Sequence, residues 1–98
     1  MKFMITWRFH EGKLHDGYAR FAQMTPEQDK ADRCSQIKLI GRWHDLARGR
    51  GVAICESDDA EAMSNWALNW NSVLDADVAV VLDDKEARAL FHRREKKS

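Results

Sequence analysis

The most constraining feature of this sequence is the stretch Q-I-K-L-I-G-R-W-H-D-L-A-R-G-R-G-V-A-I-C-E-S, which runs from Gln36 to Ser57. Two alternating segments flank a short, basic, glycine-bearing turn. Successive side chains of a strand point to opposite faces of a sheet, so this alternation predicts two strands joined as a hairpin. The hairpin also carries a cluster of side chains that could bind a ligand or take part in catalysis. The rest of the chain is organised around this hairpin.

The register of the hairpin decides which side chains reach each face. If Trp43 lies opposite Ala53, the small residues of both strands share one face with Leu39 and Trp43. Arg42 then lies on the other face, at a diagonal spacing from Glu56 that permits a cross-strand ion pair. A shift of the pairing by one residue would exchange the two faces.

Length and charge predict a single soluble domain. The chain has 98 residues, of which 44% are hydrophobic and 33% charged, with a formal net charge of zero. We expect one domain over residues 1–98, with a core over about residues 1–91 and a basic tail over residues 92–98. A neutral chain argues against non-specific binding of nucleic acid. The charges are unevenly spread, because residues 51–84 hold eight acids and no Lys or Arg.

The sequence has no feature typical of membranes, disulfides or metals. It lacks a run of about 18 apolar residues and a signal-like start, so we expect a cytoplasmic protein that does not contact membranes. Cys34 and Cys55 have no close cysteine or histidine spacing and are read as reduced thiols. His15 and His92 show no spacing typical of metal ligands either, so we predict no metal and no cofactor.

The first part of the chain predicts a strand and two helices. Residues Lys2–Phe9 alternate between apolar and other side chains, which indicates a strand. Helical spacing follows in the next segment, at Leu14, Tyr18, Phe21 and Ala22. T-P-E-Q at residues 25–28 is a capping box with proline at the first helical position. It predicts a short polar helix on the surface, through about Arg33.

The last part of the chain predicts helix, strand and helix. Asp58 and Glu61 form a capping box that opens a helix. The predicted apolar face of that helix contains Met63, Trp66, Ala67, Trp70, Val73 and Leu74. A fourth strand is predicted over residues 77–82 because of its valines. Asp83 and Glu86 repeat the capping signal and open a C-terminal helix.

This order of elements predicts an α+β, ferredoxin-like βαββαβ fold with a four-stranded antiparallel sheet and a C-terminal helix. Right-handed crossovers place the first and third strands at the centre of the sheet. The helices cover one face only. The uncovered face would show Met4, Thr6, Ile40, Val52, Ile54, and Ala79 or Val81. Because monomers seldom expose so large an apolar patch, we expect a homodimer.

Several segments resemble a known bacterial family. They are M-K-F-M-I-T-W at the start, I-K-L-I-G-R-W-H and G-V-A-I-C-E-S-D-D in the hairpin, and W-A-L-N-W in the later helix. The family is described only as a domain of unknown function and is grouped with the dimeric α/β-barrel proteins of ferredoxin-like fold. The resemblance covers about Met1 to Asp84, with residues 25–33 and the basic tail peculiar to this chain. It implies a homodimer with two sheets face to face.

The predicted topology brings aromatic residues and two histidines to one end of the domain. The first two strands run parallel, so Trp7 and His10 end at the same sheet edge as Trp43 and His44. The later helix runs back toward that edge and delivers Trp66 and Trp70. A concave site lined by aromatic side chains is typical of small-molecule pockets. The alternative is that Trp66 and Trp70 are core residues over the small side chains of the hairpin.

Each candidate site residue has a structural alternative. His44 has a side chain suited to proton transfer near neutral pH, or it is a hydrogen-bonded structural histidine. Arg42 either clamps a carboxylate or phosphate, or pairs with Glu56. Cys55 is read as a buried, inert thiol. The ligand-binding candidates are Trp7, His10, Arg42, Trp43, His44, Trp66 and Trp70.

Two functions remain open from the sequence. In the first, the protein binds a small apolar or aromatic molecule in a Trp-lined pocket, and cofactor-free oxidation, which some relatives in the superfamily perform, is one reaction open to it. In the second, it is a non-catalytic homodimeric module for protein interaction or regulation. The superfamily also includes haem-degrading enzymes and ligand-binding regulators, so the fold alone does not choose between them.

Overall fold

The computed structural model of the chain describes residues 1–97, and within them the fold is α+β. The strands are β1 Lys2–Phe9, β2 Lys38–Asp45, β3 Arg50–Glu56 and β4 Leu74–Val81. The helices are α1 Leu14–Gln23, α2 Pro26–Arg33, α3 Ala60–Leu68 and α4 Asp84–Lys97. A 3-10 turn, Leu46–Arg48, joins β2 to β3.

The four strands form one sheet in the order β2-β3-β1-β4, and each neighbouring pair is antiparallel. This confirms the predicted central and edge strands, and it is compatible with a ferredoxin-like fold. Strands β1 and β2 run parallel to each other with β3 between them. Trp7 therefore lies opposite Gly51 of β3, which in turn lies opposite His44 of β2. The ends of β1 and β2 share one sheet edge, as the sequence predicts.

Helices cover one face of the sheet and enclose a small core. Phe3 and Ile5 of β1 and Ala53 and Cys55 of β3 are buried on this face, which we call the inner face. The helix side of the core is completed by Met63 and Trp66 of α3, with Ile37 from the loop before β2. Burial raises the pKa of the Cys55 thiol, so the thiol is the form that persists near neutral pH, as expected of an inert cysteine.

A bulge interrupts the pairing of β2 with β3. Leu39 lies opposite Cys55, but the next paired residue of β2 is Gly41, which lies opposite Ile54. Ile40 is therefore an extra residue without a partner in β3. An extra residue shifts the alternation of side chains by one position, so everything after it points to the opposite face.

The predicted pairing of β2 with β3 is wrong along the strand, since Leu39 lies opposite Cys55 and not Ser57, and the bulge also exchanges the faces of the second half of β2. Arg42, and not Trp43, lies opposite Ala53, and this places Arg42 on the inner face. Trp43 lies opposite Val52 on the uncovered face, which we call the outer face. The predicted ion pair between Arg42 and Glu56 is replaced by a pair with Asp29 of α2.

The helix starts follow their capping signals with one correction. Thr25 and Gln28 form the predicted reciprocal capping box. Asp83 and Glu86 bond in the same reciprocal way at the start of α4. The cap of α3 is Asp59 and not Asp58, because the Asp59 side chain accepts from the backbone N–H of Ala62.

Helix α3 is shorter than its apolar spacing predicts. It ends at Leu68, and Trp70 lies in the turn that follows. Val73 precedes β4, and Leu74 begins it, three residues earlier than the predicted start at residue 77. The turn contains Asn69, Asn71 and Ser72, whose side chains compete for backbone hydrogen bonds and favour turns over helix.

Helix α4 extends away from the rest of the fold. The chain measures 53 × 28 × 19 Å and has a radius of gyration of 15.9 Å. A compact domain of this length has a radius of gyration of about 13 Å. Near its start, α4 is held by Lys2, whose Nζ lies 3.3 Å from Asp83 and 3.2 Å from Glu86. Leu90 and Phe91, further along, remain exposed.

Candidate functional site

A cavity of about 80 Å³ lies between the inner face of the sheet and the segments from α1 to α3. Strands β1, β2 and β4 contribute to its floor and walls, and the turn after α3 closes one side. Aromatic and aliphatic side chains make up most of its lining. The lining residues are Ile5, Trp7, Phe9, Tyr18, Phe21, Asp32, Arg42, His44, Trp66, Ala67, Trp70, Leu74 and Ala76.

Five of the seven sequence-predicted site residues line this cavity, and they are Trp7, Arg42, His44, Trp66 and Trp70. Trp43 does not, because the bulge in β2 turns it to the outer face, where it is 59% exposed. His10 does not either. Its Nε2 atom lies 3.1 Å from a carboxylate oxygen of Asp75 at the edge of the sheet.

Asp32 of α2 holds the two tryptophans of the cavity wall. One of its carboxylate oxygens accepts hydrogen bonds from the indole N–H of Trp66 at 3.2 Å and from that of Trp70 at 2.7 Å. The other oxygen accepts from the side-chain amide of Asn69 at 3.2 Å. Buried indole N–H groups need an acceptor. This carboxylate therefore fixes the orientation of both rings.

Arg42 lines the cavity and forms an ion pair with Asp29. Its guanidinium donates two hydrogen bonds to Asp29, at 3.2 and 2.9 Å, in the bidentate geometry that favours Arg–carboxylate pairs. Arg33 donates to the same carboxylate at 2.9 Å. Burial alone would raise the pKa of Asp29, but the hydrogen bonds and charges of Arg42 and Arg33 outweigh it and lower that pKa.

Two arginines stack on aromatic rings of the wall. The guanidinium carbon of Arg20 lies 4.0 Å from the centroid of Trp70, and that of Arg42 lies 4.8 Å from the centroid of Phe21. A cation over an aromatic face is stabilising at these distances. One face of each of these two rings is thus covered by a planar, charged group.

His44 lies in a cluster of aromatic side chains from β1 and α1. Its Nδ1 atom is 3.0 Å from the hydroxyl oxygen of Tyr18. Its ring centroid is 5.5 Å from Trp7 and 5.2 Å from Phe21. The structure therefore places His44 in the wall of the cavity and gives it a hydrogen-bond partner, as the structural interpretation expects.

Burial sets the protonation of this pair. Burial, together with the nearby charge of Arg42, lowers the pKa of His44 and favours the neutral imidazole. Burial raises the pKa of the Tyr18 hydroxyl, and a hydrogen bond from Trp7 only partly offsets the rise. Both groups are thus uncharged near neutral pH.

The sequence analysis did not assign Tyr18, Phe21 and Asp32 to the site, although all three line the cavity. Tyr18 and Phe21 were assigned to the apolar face of the first helix, and their helical spacing with Leu14 was the available signal. Asp32 had no such signal, because its partners Trp66 and Trp70 are far away in sequence. It lies on α2, the helix predicted to be polar and on the surface.

The described part of the chain offers no metal site. Within residues 1–97, no group of three or more His, Cys, Asp or Glu side chains is arranged to hold a metal ion. In the same residues, no helix has both the length and the apolar character needed to cross a bilayer.

A second, wider concavity of about 740 Å³ lies on the outer face near the edge where β1 and β2 end. Thr6, Trp43 and Val52 contribute to its floor. Its rim is charged, with Arg8 and Arg50 among the basic residues and Asp45, Asp75 and Asp77 as the acidic ones. Arg50 is paired with Asp45 at 3.0 Å.

The comparisons with known proteins identify the family of the chain and no activity. A profile described as a domain of unknown function (DUF3303) matches residues 1–95, so the chain belongs to this family. The match includes residues 25–33 and most of the basic tail, which the sequence resemblance treated as peculiar to this chain. Neither the curated proteins nor the solved structures yield a significant match.

Proposed function

Taking membership of this uncharacterised family as the premise, we propose that the domain binds a small, largely apolar molecule in the aromatic cavity. The observation that carries the proposal is a cavity of about 80 Å³ beside Trp7, Trp66 and Trp70, in a domain with a small core. The cavity is partly open to solvent and lined mainly by aromatic rings, which is typical of a small-molecule pocket.

The volume limits the guest. An engineered apolar cavity of about 150 Å³ holds benzene, and the cavity described here is roughly half that size. A guest of a few non-hydrogen atoms would fit inside. A larger aromatic molecule would place one end in the cavity and leave the remainder among the partly exposed rings of Trp70 and Phe21.

The two tryptophans on the α3 side play different parts in this proposal. Trp66 is 8% exposed and belongs to the buried core cluster. Trp70 is only partly buried and packs at the margin of that cluster. The alternative that both rings are core residues therefore applies better to Trp66, and Trp70 is the better candidate for contact with a guest.

Substitution of each ring tests the proposal. A fully packed aromatic residue costs about 3–5 kcal/mol when it is truncated to alanine, so Trp66→Ala should lose stability on that scale. Trp70→Ala should lose clearly less, because one side of its ring faces the cavity. Trp43→Ala, on the outer face, is the control for loss of an exposed indole. Free energies of unfolding from urea titrations give these values.

A panel of small apolar and aromatic compounds should then raise the melting temperature of the wild type, and Trp70→Ala should change which compounds do so. The proposal fails if Trp70→Ala costs as much as Trp66→Ala and no compound stabilises the wild type. In that case the rings are core residues, and an interaction module becomes the better reading.

We also propose that the domain is a homodimer formed through the outer face. This face exposes Ile40 and Trp43, at 51% and 59%, beside half-buried Met4, Val52 and Ile54. Its rim carries charges of both signs, with Arg8 on β1, Arg50 on β3, and Asp75 and Asp77 on β4. A twofold axis brings such opposite charges of two copies together.

A further inference from the structure

The polar side chains of the cavity wall are almost all engaged with other side chains. The Asp32 carboxylate accepts from Trp66, Trp70 and Asn69. The Arg42 guanidinium donates to Asp29 through both of its terminal nitrogens. His44 is different: its Nδ1 atom is bonded to Tyr18, and its Nε2 atom has no hydrogen-bond partner among the residues that the structure describes.

The position of the proton on His44 follows from the partners of Tyr18. A phenol hydroxyl carries one proton, and in a partly buried site that proton needs an acceptor. Within residues 1–97, the acceptor within reach is His44 Nδ1, at 3.0 Å.

A neutral imidazole has one nitrogen that accepts and one that donates. With Nδ1 accepting from Tyr18, the ring proton of His44 is on Nε2. The opposite tautomer would leave the Tyr18 proton without a partner in a partly buried site, which is unfavourable. His44 thus presents an N–H donor on the side of the ring that Tyr18 does not occupy.

Because Tyr18 donates to His44 Nδ1 and leaves the ring proton on Nε2, we propose that His44 Nε2–H donates a hydrogen bond to the guest. The guest is then a small, uncharged molecule with an apolar body and one hydrogen-bond acceptor, such as a ketone. The proposal rests on the proposed function, because it describes the guest of the same cavity. The N–H groups of Arg42 that do not bond Asp29 are further donors in the same wall.

Charge argues for an uncharged guest. The positive charge of Arg42 is already taken up by the Asp29 carboxylate at 2.9 Å. The Asp32 carboxylate lines the same cavity and would repel an anion. The tautomer also bears on chemistry, because an imidazole with its proton toward the guest is a donor and does not serve as a general base from that nitrogen.

The test uses three probes of the same shape and the same number of non-hydrogen atoms: 2-butanone, 2-methyl-1-butene and propionate. Binding is followed through the indole N–H signals of Trp66 and Trp70 in an NMR titration of the full chain. The ratio of ketone to alkene affinity is compared between wild type and His44→Leu, which removes the donor and keeps an apolar side chain. Comparing ratios cancels the different solvation of the two probes.

We expect the ketone-to-alkene ratio to be about 3- to 10-fold higher in wild type than in His44→Leu, the effect of one hydrogen bond. Tyr18→Phe should lower the ratio as well, because without the Tyr18 hydroxyl the ring proton of His44 is no longer held on Nε2. An unchanged ratio in both variants, with alkene still bound, overturns the inference and leaves the proposed function standing. Preference for propionate overturns the uncharged guest. Failure of all three probes to bind overturns both proposals.

A measurement on the unmodified protein removes dependence on the variants. The ring ¹⁵N signals of His44 report directly which nitrogen carries the proton. We expect protonated Nε2 and unprotonated Nδ1 near neutral pH. A proton on Nδ1 overturns the inference even if the variants fail to fold.

Discussion

Arg42 illustrates how strongly a single side chain depends on the carboxylate that accompanies it. Its guanidinium lies in a wall made mostly of carbon, and the Arg42 and Asp29 side chains are only 18% and 20% exposed. Removing a charge from water is costly unless a partner with good geometry replaces the lost hydration. Asp29 supplies that partner through two hydrogen bonds, and Arg33 bonds the same carboxylate.

The first prediction concerns this pair. Arg42→Ala should lower the free energy of unfolding by about 1.5–3 kcal/mol, the range for hydrogen bonds that involve charged groups. Arg50→Ala is the matched control, because Arg50 and Asp45 form a similar pair with side chains 43% and 41% exposed. Arg50→Ala should cost clearly less than Arg42→Ala, because water screens an exposed pair. Urea denaturation of both variants gives the comparison.

A double-mutant cycle identifies the partner of Arg42. Arg42→Ala combined with Asp29→Ala should be clearly non-additive, because the two side chains interact directly. Arg42→Ala combined with Glu56→Ala should be additive, since Glu56 lies opposite Lys2 and Lys38 at the far end of β3. Coupling to Glu56 and additivity with Asp29 would contradict the register described here.

The second prediction concerns His44 and pH. Its pKa is lowered in the folded protein by burial and by Arg42, so the unfolded chain takes up the proton first as the pH falls. The stability associated with the neutral ring is fully present above about pH 6.5, the pKa of an unperturbed histidine, and is lost as the pH falls from there toward the lower folded pKa.

The wild type should therefore lose stability as the pH falls from about 6.5 to the lowered pKa of His44 in the folded protein. His44→Gln should lose less stability over the same pH interval. Urea denaturation at a series of pH values measures the difference between the two proteins. If the two profiles ran parallel over this interval, His44 would not be responsible for the pH dependence.

At the scale of the elements, the hairpin of β2 and β3 uses two glycines in different ways. A Cβ added at Gly51 would lie 2.2 Å from the Trp7 ring and 2.7 Å from the backbone oxygen of Trp43. A Cβ added at Gly41 would lie 2.3 Å from the ring of Trp43. The first contact is enclosed and includes backbone, whereas the second involves an exposed ring that can rotate into solvent.

The third prediction follows from this contrast. Gly51→Ala should destabilise the fold by about 1–3 kcal/mol, the range for overpacking, because neither Trp7 nor the backbone of β2 can move freely. Gly41→Ala should cost less than about 1 kcal/mol, because Trp43 can swing outward. Thermal unfolding of the two variants tests this, and equal costs would mean that Trp43 is as tightly held as Trp7.

Helix α2 shows that a surface element can carry the residues that organise a site. None of its residues is fully buried, and its capping box predicts a helix at its position. Asp29 and Asp32 lie one turn apart on the side of the helix that faces the fold. They hold Arg42 of β2 and the two tryptophans of the cavity wall.

At the scale of the molecule, the elongated shape argues for a partner, because it leaves apolar side chains exposed. The arm formed by α4 carries exposed Leu90 and Phe91, and Val80 and Leu82 are exposed near its base. Lys2, which holds the start of α4, lies opposite Val81 and Glu56 on the outer face. The arm therefore starts beside the face that we propose as the dimer interface.

The fourth prediction concerns assembly. Wild type should sediment as a dimer at micromolar concentration, and Ile54→Lys should be a monomer, because it places an unpaired charge in the apolar interface. Leu68→Lys is the matched control, because Leu68 is a 61% exposed apolar residue at the end of α3 that belongs to neither the outer face nor the arm. Sedimentation velocity gives the answer.

A separate double variant tests whether the arm contributes to the dimer. Leu90→Gln combined with Phe91→Gln should weaken the dimer if the arm packs on the second copy, without changing the melting of the monomeric fold. A wild type that stays monomeric at micromolar concentration would remove the dimer proposal, and the outer face would then need a different explanation.

The sequence alone determined the parts of the fold that depend on neighbours in the chain. Alternation gave the bounds of β1, and the polar pairs Thr25–Gln28 and Asp83–Glu86 marked two helix starts. The strand order followed from connectivity, because short crossovers and hairpins leave few arrangements of four strands. The shared sheet edge of Trp7 and His44 followed from that order, whereas their ring contact required the bulge, which turns His44 to the inner face.

Only the tertiary structure decided what depends on partners far away in sequence. The extra residue Ile40 is absorbed where β2 pairs with β3, and it exchanged the faces of Arg42 and Trp43. Asp32 became the acceptor for Trp66 and Trp70 because α2 packs near α3, which no local pattern records. Alternation and capping act over a few residues, whereas a bulge or a buried carboxylate is selected by the free energy of the whole packed arrangement.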